Sequence, residues 1–185
     1  MLMPFPLLTP RVSIEPLTMR DVDEFVRYRK DPEIARFQSW DTDYSAQHGV
    51  DLVQSQEGVV LPAPGKWLQL AIHDRETGEL LGDLALHTID TAELLFEIGF
   101  TLATKNQGNG IAREAVRRLL DFLFDELRAI SVCASCDSRN SPSITLLLAL
   151  GFENRPSECW TEFFKGESIV VNYFSVIAPD FHSQI

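Results

Sequence analysis

The chain has little cysteine, few cationic residues and no long apolar run, and each shortage excludes something. Three cysteines among 185 residues build no disulfide framework and point to a reducing compartment. Sixteen Lys and Arg stand against 27 Asp and Glu, a formal charge of −11. Without a cationic excess there is nothing to neutralise a phosphate backbone, so nucleic acid and anionic membrane are disfavoured as partners. The same acidity suits a cationic partner, and it equally suits plain solubility. No apolar stretch approaches the roughly 20 residues that cross a bilayer. The first ten residues are apolar, but they lack a basic start and are broken by Pro4, Pro6 and Pro10. That makes a poor export leader, so a cytoplasmic location is expected.

What is there has globular composition, with 45% hydrophobic and 23% charged residues. The length fits one domain at about 150 residues per domain. With neither repeat nor low-complexity linker, one domain over residues 1–185 is expected, its core at about 11–176. Alternation predicts a strand over Arg11–Leu17. Thr18 and Asp21 form a capping-box-like pair opening a helix, which Asp31-Pro32 stops. A second helix is expected over Ser45–Gln56. Trp67–His73 and Leu80–Ile89 read as a hairpin across a polar turn ending near Gly78. Leu94–Leu102 reads as a buried strand. After it, Ile111, Ala115, Val116, Leu119, Leu120, Leu123 and Leu127 recur at helical spacing. A strand over Ala129–Cys136, a helix over Pro142–Leu150 with Gly151 as its C-terminal cap, and a hairpin of Cys159–Phe164 with Ile169–Val176 complete the chain. The expected class is α/β (α+β): a mostly antiparallel mixed sheet of about seven strands, flanked by about four helices. One parallel crossover should join the Leu94 strand to the Ala129 strand.

The informative feature is strand, glycine-rich bend, helix: Asn106-Gln107-Gly108-Asn109-Gly110 runs straight into the Ile111 helix. Helix N-terminal amides lack intrahelical partners and carry partial positive charge, so they bind phosphate. A nucleotide P-loop needs Lys-Ser/Thr after the last Gly, and none follows Gly110. A dinucleotide fingerprint needs a third Gly where Arg113 stands. Both standard nucleotide readings fail.

Gln107-Gly108-Asn109-Gly110-Ile111-Ala112 resembles the pyrophosphate loop of the GNAT superfamily of acyl-CoA N-acyltransferases, Gln/Arg-x-x-Gly-x-Gly/Ala. Glu97-Ile98-Gly99-Phe100 before it, and Asn140-Ser141-Pro142-Ser143 with Leu150-Gly151-Phe152 after it, match surroundings common in that family. Phe163-Phe164-Lys165-Gly166-Glu167 resembles the closing hairpin of its RimJ/RimL-like branch, which acetylates protein N-termini and small amines. The resemblance implies an N-acetyltransferase with acetyl-CoA as cosubstrate, an amine acceptor and no metal. Homodimers are common among such relatives.

By that resemblance, the amides of Gln107, Gly108, Asn109, Gly110, Ile111 and Ala112 would bind pyrophosphate. Phe100 and Leu102, at the end of the Leu94 strand, would meet the pantetheine arm. Asn140 would contact the same arm and Ser143 would lie near the sulfur, although either residue serves equally as helix cap. Between Lys105 and Arg139, six basic residues face five acidic ones, against ten and 22 in the rest of the chain. Basic charge is thus concentrated where a phosphate would lie, or simply lines a solvated helix face. Glu97 is the expected general base, with Asp83 and His87 on the preceding strand as alternatives or as substrate contacts. Trp40, beside Asp41 and Asp43, falls in the irregular region where relatives form the acceptor pocket. Many family members carry a Tyr acid four residues before the Gly of the Gly-Phe pair. Here that position is Leu147, so Ser143 or water must protonate the leaving thiolate, or it departs unprotonated. The departure also admits a different class of protein: a CoA-binding or protein-interaction module that kept the fold and lost turnover. Cys133 and Cys136 make a Cys-x-x-Cys, but three residues apart on a strand they face opposite sides. His48, His73, His87 and His182 are scattered, so neither a metal nor a redox site is expected.

Overall fold

The computed structural model describes residues 4–178 and 181; His182 lies outside them. The chain order is β1 (Leu7–Leu8), β2 (Val12–Pro16), α1 (Val22–Arg29), α2 (Pro32–Ala35), α3 (Ala46–Ser55), β3 (Trp67–Asp74), β4 (Leu80–Asp90) and β5 (Leu95–Leu102). There follow α4 (Ile111–Asp121), β6 (Ser131–Asp137), α5 (Ser141–Ala149), β7 (Glu153–Asn154), β8 (Trp160–Phe164) and β9 (Glu167–Ile177). The strands form one mixed sheet, in the order β1-β2-β3-β4-β5-β6-β9-β7, with β8 also paired to β9. Every pairing is antiparallel except β5 with β6, the crossover expected from the sequence.

Among the described residues the expected count of about seven strands is corrected to nine. The two extra strands, β1 and β7, have two residues each, too short for an alternation pattern to register. The count of about four helices becomes five, because Asp31-Pro32 both stops α1 and starts α2. The Asp31 carboxylate caps α2 by accepting the Glu33 N–H at 3.0 Å, and Pro32 sits at the first helical position. The expected long helix through Leu127 is α-helical only to Asp121. From Phe122 to Glu126 it widens into a π turn, with the Leu127 N–H reaching back to the Phe122 carbonyl at 3.1 Å.

Two cores sandwich the sheet. On one face Ala115, Val116, Leu119 and Leu120 of α4 pack on Leu70, Leu84, Leu86, Phe96, Ile98 and Val132. On the other, Phe25, Val26 and Tyr28 of α1 and Val53 of α3 pack with Ala71. Period-two alternation assigns the faces. Because Ala71 pairs with Asp83, Asp83 with Thr101 and His87 with Glu97, the α1 face carries Asp83, His87, Glu97 and Thr101. The capping box at Thr18 forms as expected, its backbone N–H donating to Asp21 at 2.9 Å.

Gly82 of β4 pairs with Leu102 of β5. A Cβ there would lie 2.2 Å from the Thr101 carbonyl oxygen and 2.8 Å from the Leu102 Cα. Both obstacles are backbone and cannot swing aside. Gly82→Ala should therefore destabilise the protein by about 3 kcal/mol, read as a lower urea midpoint with an unchanged m-value.

Candidate active site

The parallel pair β5–β6 holds for only three residue pairs: Leu95 with Ser131, Phe96 with Val132, and Glu97 with Cys133. Strand β5 continues to Leu102 and β6 to Asp137, so the two part beyond Glu97. A cleft of about 810 Å³ opens near the diverging ends. Phe100, Thr101 and Leu102 line it from β5. Gln107, Gly108, Gly110, Ile111, Ala112 and Arg113 line it from the bend and α4, and Asn140, Pro142, Ser143 and Leu146 from the start of α5. Nine of the residues singled out from sequence thus share one cavity; Asn109 sits in the same bend but not on its wall.

The bend suits an anion. Gly108 and Gly110 adopt φ of 79° and 75°, in the left-handed region that costs glycine little. Gly110 is the N-cap of α4. The first helical bond runs from the Glu114 N–H to the Gly110 carbonyl at 3.0 Å. The N–H groups of Ile111, Ala112 and Arg113 therefore have no intrahelical acceptor and give the helix end its partial positive charge. A Cβ on Gly108 would meet nothing within 4 Å, so backbone is open to approach.

A brace from the N-terminal strands holds this loop. Arg11 donates from Nη1 to the Asn109 carbonyl at 2.9 Å and from Nε to Glu114 at 2.6 Å. The Thr9 hydroxyl and the Arg11 N–H also donate to Glu114, at 2.5 and 3.0 Å. Gln107 Nε2 donates to the Leu102 carbonyl at 3.1 Å, tying the bend to the end of β5. Asn140 accepts the Ser143 N–H at 3.3 Å, so it caps α5 while lining the cleft.

The basic residues of this stretch divide. Arg117 pairs with Asp121, Arg118 with Glu126, Lys105 with Glu79, and Arg139 with Asp137 and Glu167. Arg113 alone of the six lines the cleft.

Glu97 stands where the strands part, outside the cleft's lining. Its carboxylate meets His87 Nδ1 at 3.2 Å and accepts the Ser135 hydroxyl at 3.3 Å. His87 stacks on Trp67, ring centroids 4.6 Å apart and 15° from parallel. Asp83 behaves otherwise. It is 2% exposed, and its carboxylate is taken up by the Tyr28 hydroxyl, the Gln69 amide and the Arg29 guanidinium, the last at 3.3 Å. Burial pushes its pKa up, against the pull of Arg29. Asp83 thus faces internal partners, where a substrate contact was expected. Trp40 covers the Arg29 guanidinium at 3.6 Å and lines a separate shallow hollow with Asp41, Asp43 and Tyr44.

Leu147, at the frequent Tyr position, is 1% exposed and belongs to the core, so it takes no part in the cleft. Burial pushes the Cys133 and Cys136 thiols up to about 11, and neither supplies a thiolate at neutral pH. Among the described residues no group of three or more His, Cys, Asp or Glu stands ready to hold a metal ion, and no helix is long and apolar enough to cross a membrane.

Sequence reasoning missed the fourth wall of the cleft, made by Glu33, Ile34, Phe37 and Gln38. The signal was available in Asp31-Pro32, an N-cap followed by Pro. It missed Ser135 and Trp67 beside Glu97 and His87 because those contacts depend on strand register.

A model of the GNAT acetyltransferase domain matches residues 11–153. The chain belongs to the GNAT acetyltransferase family. It is 29% identical over 175 residues to uncharacterized N-acetyltransferase p20 of Bacillus licheniformis, covering 95% of this chain and 97% of that one. Its fold is similar to spermidine N-acetyltransferase from Vibrio cholerae, solved with CoA and spermine, at TM-score 0.80, 18% identity and 94% and 99% coverage. It is also similar to RimL, the ribosomal L7/L12 alpha-N-protein acetyltransferase solved with CoA, at TM-score 0.77, 18% identity and 91% and 95% coverage.

Glu114 tests the brace. Burial raises its pKa, but hydrogen bonds from Thr9 and Arg11 outweigh this and hold it below 4.5. A depressed carboxylate contributes stability above its unfolded value, and that contribution is lost as pH falls through the folded value. Glu114→Gln should therefore lower Tm at pH 7, and the gap to the parent should close as pH falls below about 4.3, measured by thermal melts across pH.

Proposed function

We propose that this GNAT protein is an acetyl-CoA-dependent N-acetyltransferase of the RimJ/RimL-like branch, a single catalytic domain acting on a primary amine by direct attack on the thioester. The observation that carries the reading is the convergence of the α4 N-terminal amides, the unpaired edge of β5 and the start of α5 on one cleft, with Glu97 where the strands part. The loop fits a pyrophosphate: three free amides, two glycines at positive φ and Arg113 at the rim. In this reading the cosubstrate supplies the activated acetyl group, and the chain's residues do the rest. Backbone donors on the free edge of β5 stabilise the developing oxyanion, a contribution of about 3–4 kcal/mol in comparable sites. Glu97 takes the amine proton, directly or through water. Ser143 or water meets the departing thiolate, whose thiol pKa near 8.5 lets it leave unassisted.

The attacking amine must be neutral. An α-amine with pKa about 7.8 loses its proton about 3.5 kcal/mol more cheaply than a lysine with pKa about 10.4. A protein N-terminus, with its low pKa, is therefore favoured over lysine; small-molecule amines belong to the same acceptor class, and the acidic surface suits a cationic one. The protein is read as cytoplasmic, with no nucleic-acid or membrane partner.

Calorimetric titration with acetyl-CoA and CoA tests the cofactor. Micromolar binding is expected from the parent chain. Gly110→Asp, which sets a carboxylate against the pyrophosphate, should bind at least 100-fold more weakly. Normal binding by that variant would remove the phosphate-loop assignment. Glu97→Gln should keep CoA binding and lose transfer, followed by thiol release over a panel of amines. Binding without transfer by the parent chain across that panel would instead favour a CoA-binding module without turnover.

A further inference from the structure

A carboxylate that serves as a base must be held in one place until the amine arrives. Two neighbours stand ready to do this for Glu97, and neither comes from its own strand. Ser135, on β6, donates to Oε1 at 3.3 Å, and His87, on β4, meets Oε2 through Nδ1 at 3.2 Å. The residues lie across the point where β5 and β6 part, so the carboxylate spans the apex of the splay. A carboxylate oxygen only accepts, so the imidazole faces it with Nδ1–H. The ring is fixed from behind: Trp67, the cross-strand partner of His87, stacks on it at 4.6 Å and 15°. The indole is half exposed, whereas the side chains of His87 and Glu97 are 18% and 24% exposed. A solvent-facing tryptophan on a strand contributes little to the core, and here its ring meets an imidazole already bonded to the carboxylate at the splay.

We propose that His87 is a positioning residue for the acyl-transfer reaction. Its Nδ1–H fixes the tautomer of the imidazole and the direction of the Glu97 carboxylate, Trp67 fixes the ring, and Ser135 fixes the second oxygen. This rests on the reading of Glu97 as base. Hydrogen bonds that hold a reacting group from behind keep it in the orientation that transfer requires. The side chain of His87 thereby acts through Glu97 and needs no contact with the acceptor.

Three substitutions at one position separate the donor from the stack. His87→Phe keeps an aromatic ring on Trp67 and removes the N–H. His87→Asn removes the ring and returns an amide N–H close to the place of Nδ1. His87→Leu removes both. Steady-state rates would be read with the best amine from the panel, alongside Tm and calorimetric CoA affinity. The expected result is a kcat about 10- to 100-fold lower in His87→Phe and His87→Leu, the range for losing a hydrogen bond to a charged group. Acetyl-CoA affinity should stay unchanged, and His87→Asn should recover to within about threefold of the parent. Parent-like kcat in His87→Phe, or a His87→Asn as slow as His87→Leu, would overturn the proposal. Glu97→Gln in the same assay keeps the two readings apart. If it is inactive while His87→Phe is fully active, only the positioning role falls. If Glu97→Gln turns over at the parent rate, the base assignment falls and the positioning role with it.

Discussion

Strands β5 and β6 remain paired for three residues and then separate, and the site depends on that separation. A parallel pair that continued to Leu102 and Asp137 would satisfy the backbone groups of both strands and leave no cleft. Ending the pairing at Glu97 and Cys133 leaves the edge of β5 free. Unpaired backbone polar groups are costly away from water, so the splay is sustained only where the elements around it fill or solvate the gap. Here α4 and α5 start at the opening, and both present their N-terminal ends to it. The electrostatics follow from the topology: in a parallel crossover the helix that follows a strand starts at that strand's C-terminal end, as α4 does after β5.

The glycine-rich bend is fastened from two sides. Thr9 and Arg11 belong to the beginning of the chain, yet they hold Glu114 and the Asn109 carbonyl about a hundred residues later. Gln107 fastens the other end of the bend to β5. On the opposite side, the Lys165 ammonium at the tip of the β8–β9 hairpin donates to the carbonyls of Ala35 and Trp40, at 2.7 and 2.5 Å. The segment that forms the cleft's fourth wall is therefore held by the C-terminal hairpin, and the glycine-rich bend by the start of the chain. The buried Arg29–Asp83 pair beneath Trp40 anchors the same segment from below. Removing one partner of such a pair leaves a buried charge uncompensated, so this anchor fixes the wall's shape at the expense of a free carboxylate.

Much of this was legible from residues alone. Alternation found β2, the polar turn near Gly78 framed β3 and β4, β5 read as a buried strand, and a 3.6-residue period found α4 to within its π turn. Glycine and proline placed the bend and the start of α5. The failures have a common physical cause. Residues 33–44 carry no sustained period because α2 has four residues and the rest is irregular, so their contribution to the cleft was invisible. Asp83 reads as a polar residue on a strand, available to a ligand. Only the packing of α1 over it, bringing Tyr28 and Arg29, commits its carboxylate internally. The basic residues from Lys105 to Arg139 read as a phosphate-binding set, yet Lys105, Arg117, Arg118 and Arg139 are paired with carboxylates, and Arg113 is the one that lines the cleft.

The sequence by itself determined the order of the longer elements, the single parallel crossover and the glycine-rich bend that opens α4. These rest on local conformational preference and on periodicity, which each segment carries without reference to the others. Tertiary structure alone decided which carboxylate stands at the splay with a hydroxyl and an imidazole on its oxygens, and which is sealed under a helix. It also decided which cation faces the cleft. Those outcomes depend on strand register and helix packing. A one-residue shift in register would turn Glu97 to the opposite face, and no local pattern in the chain encodes the partner against which that register is set.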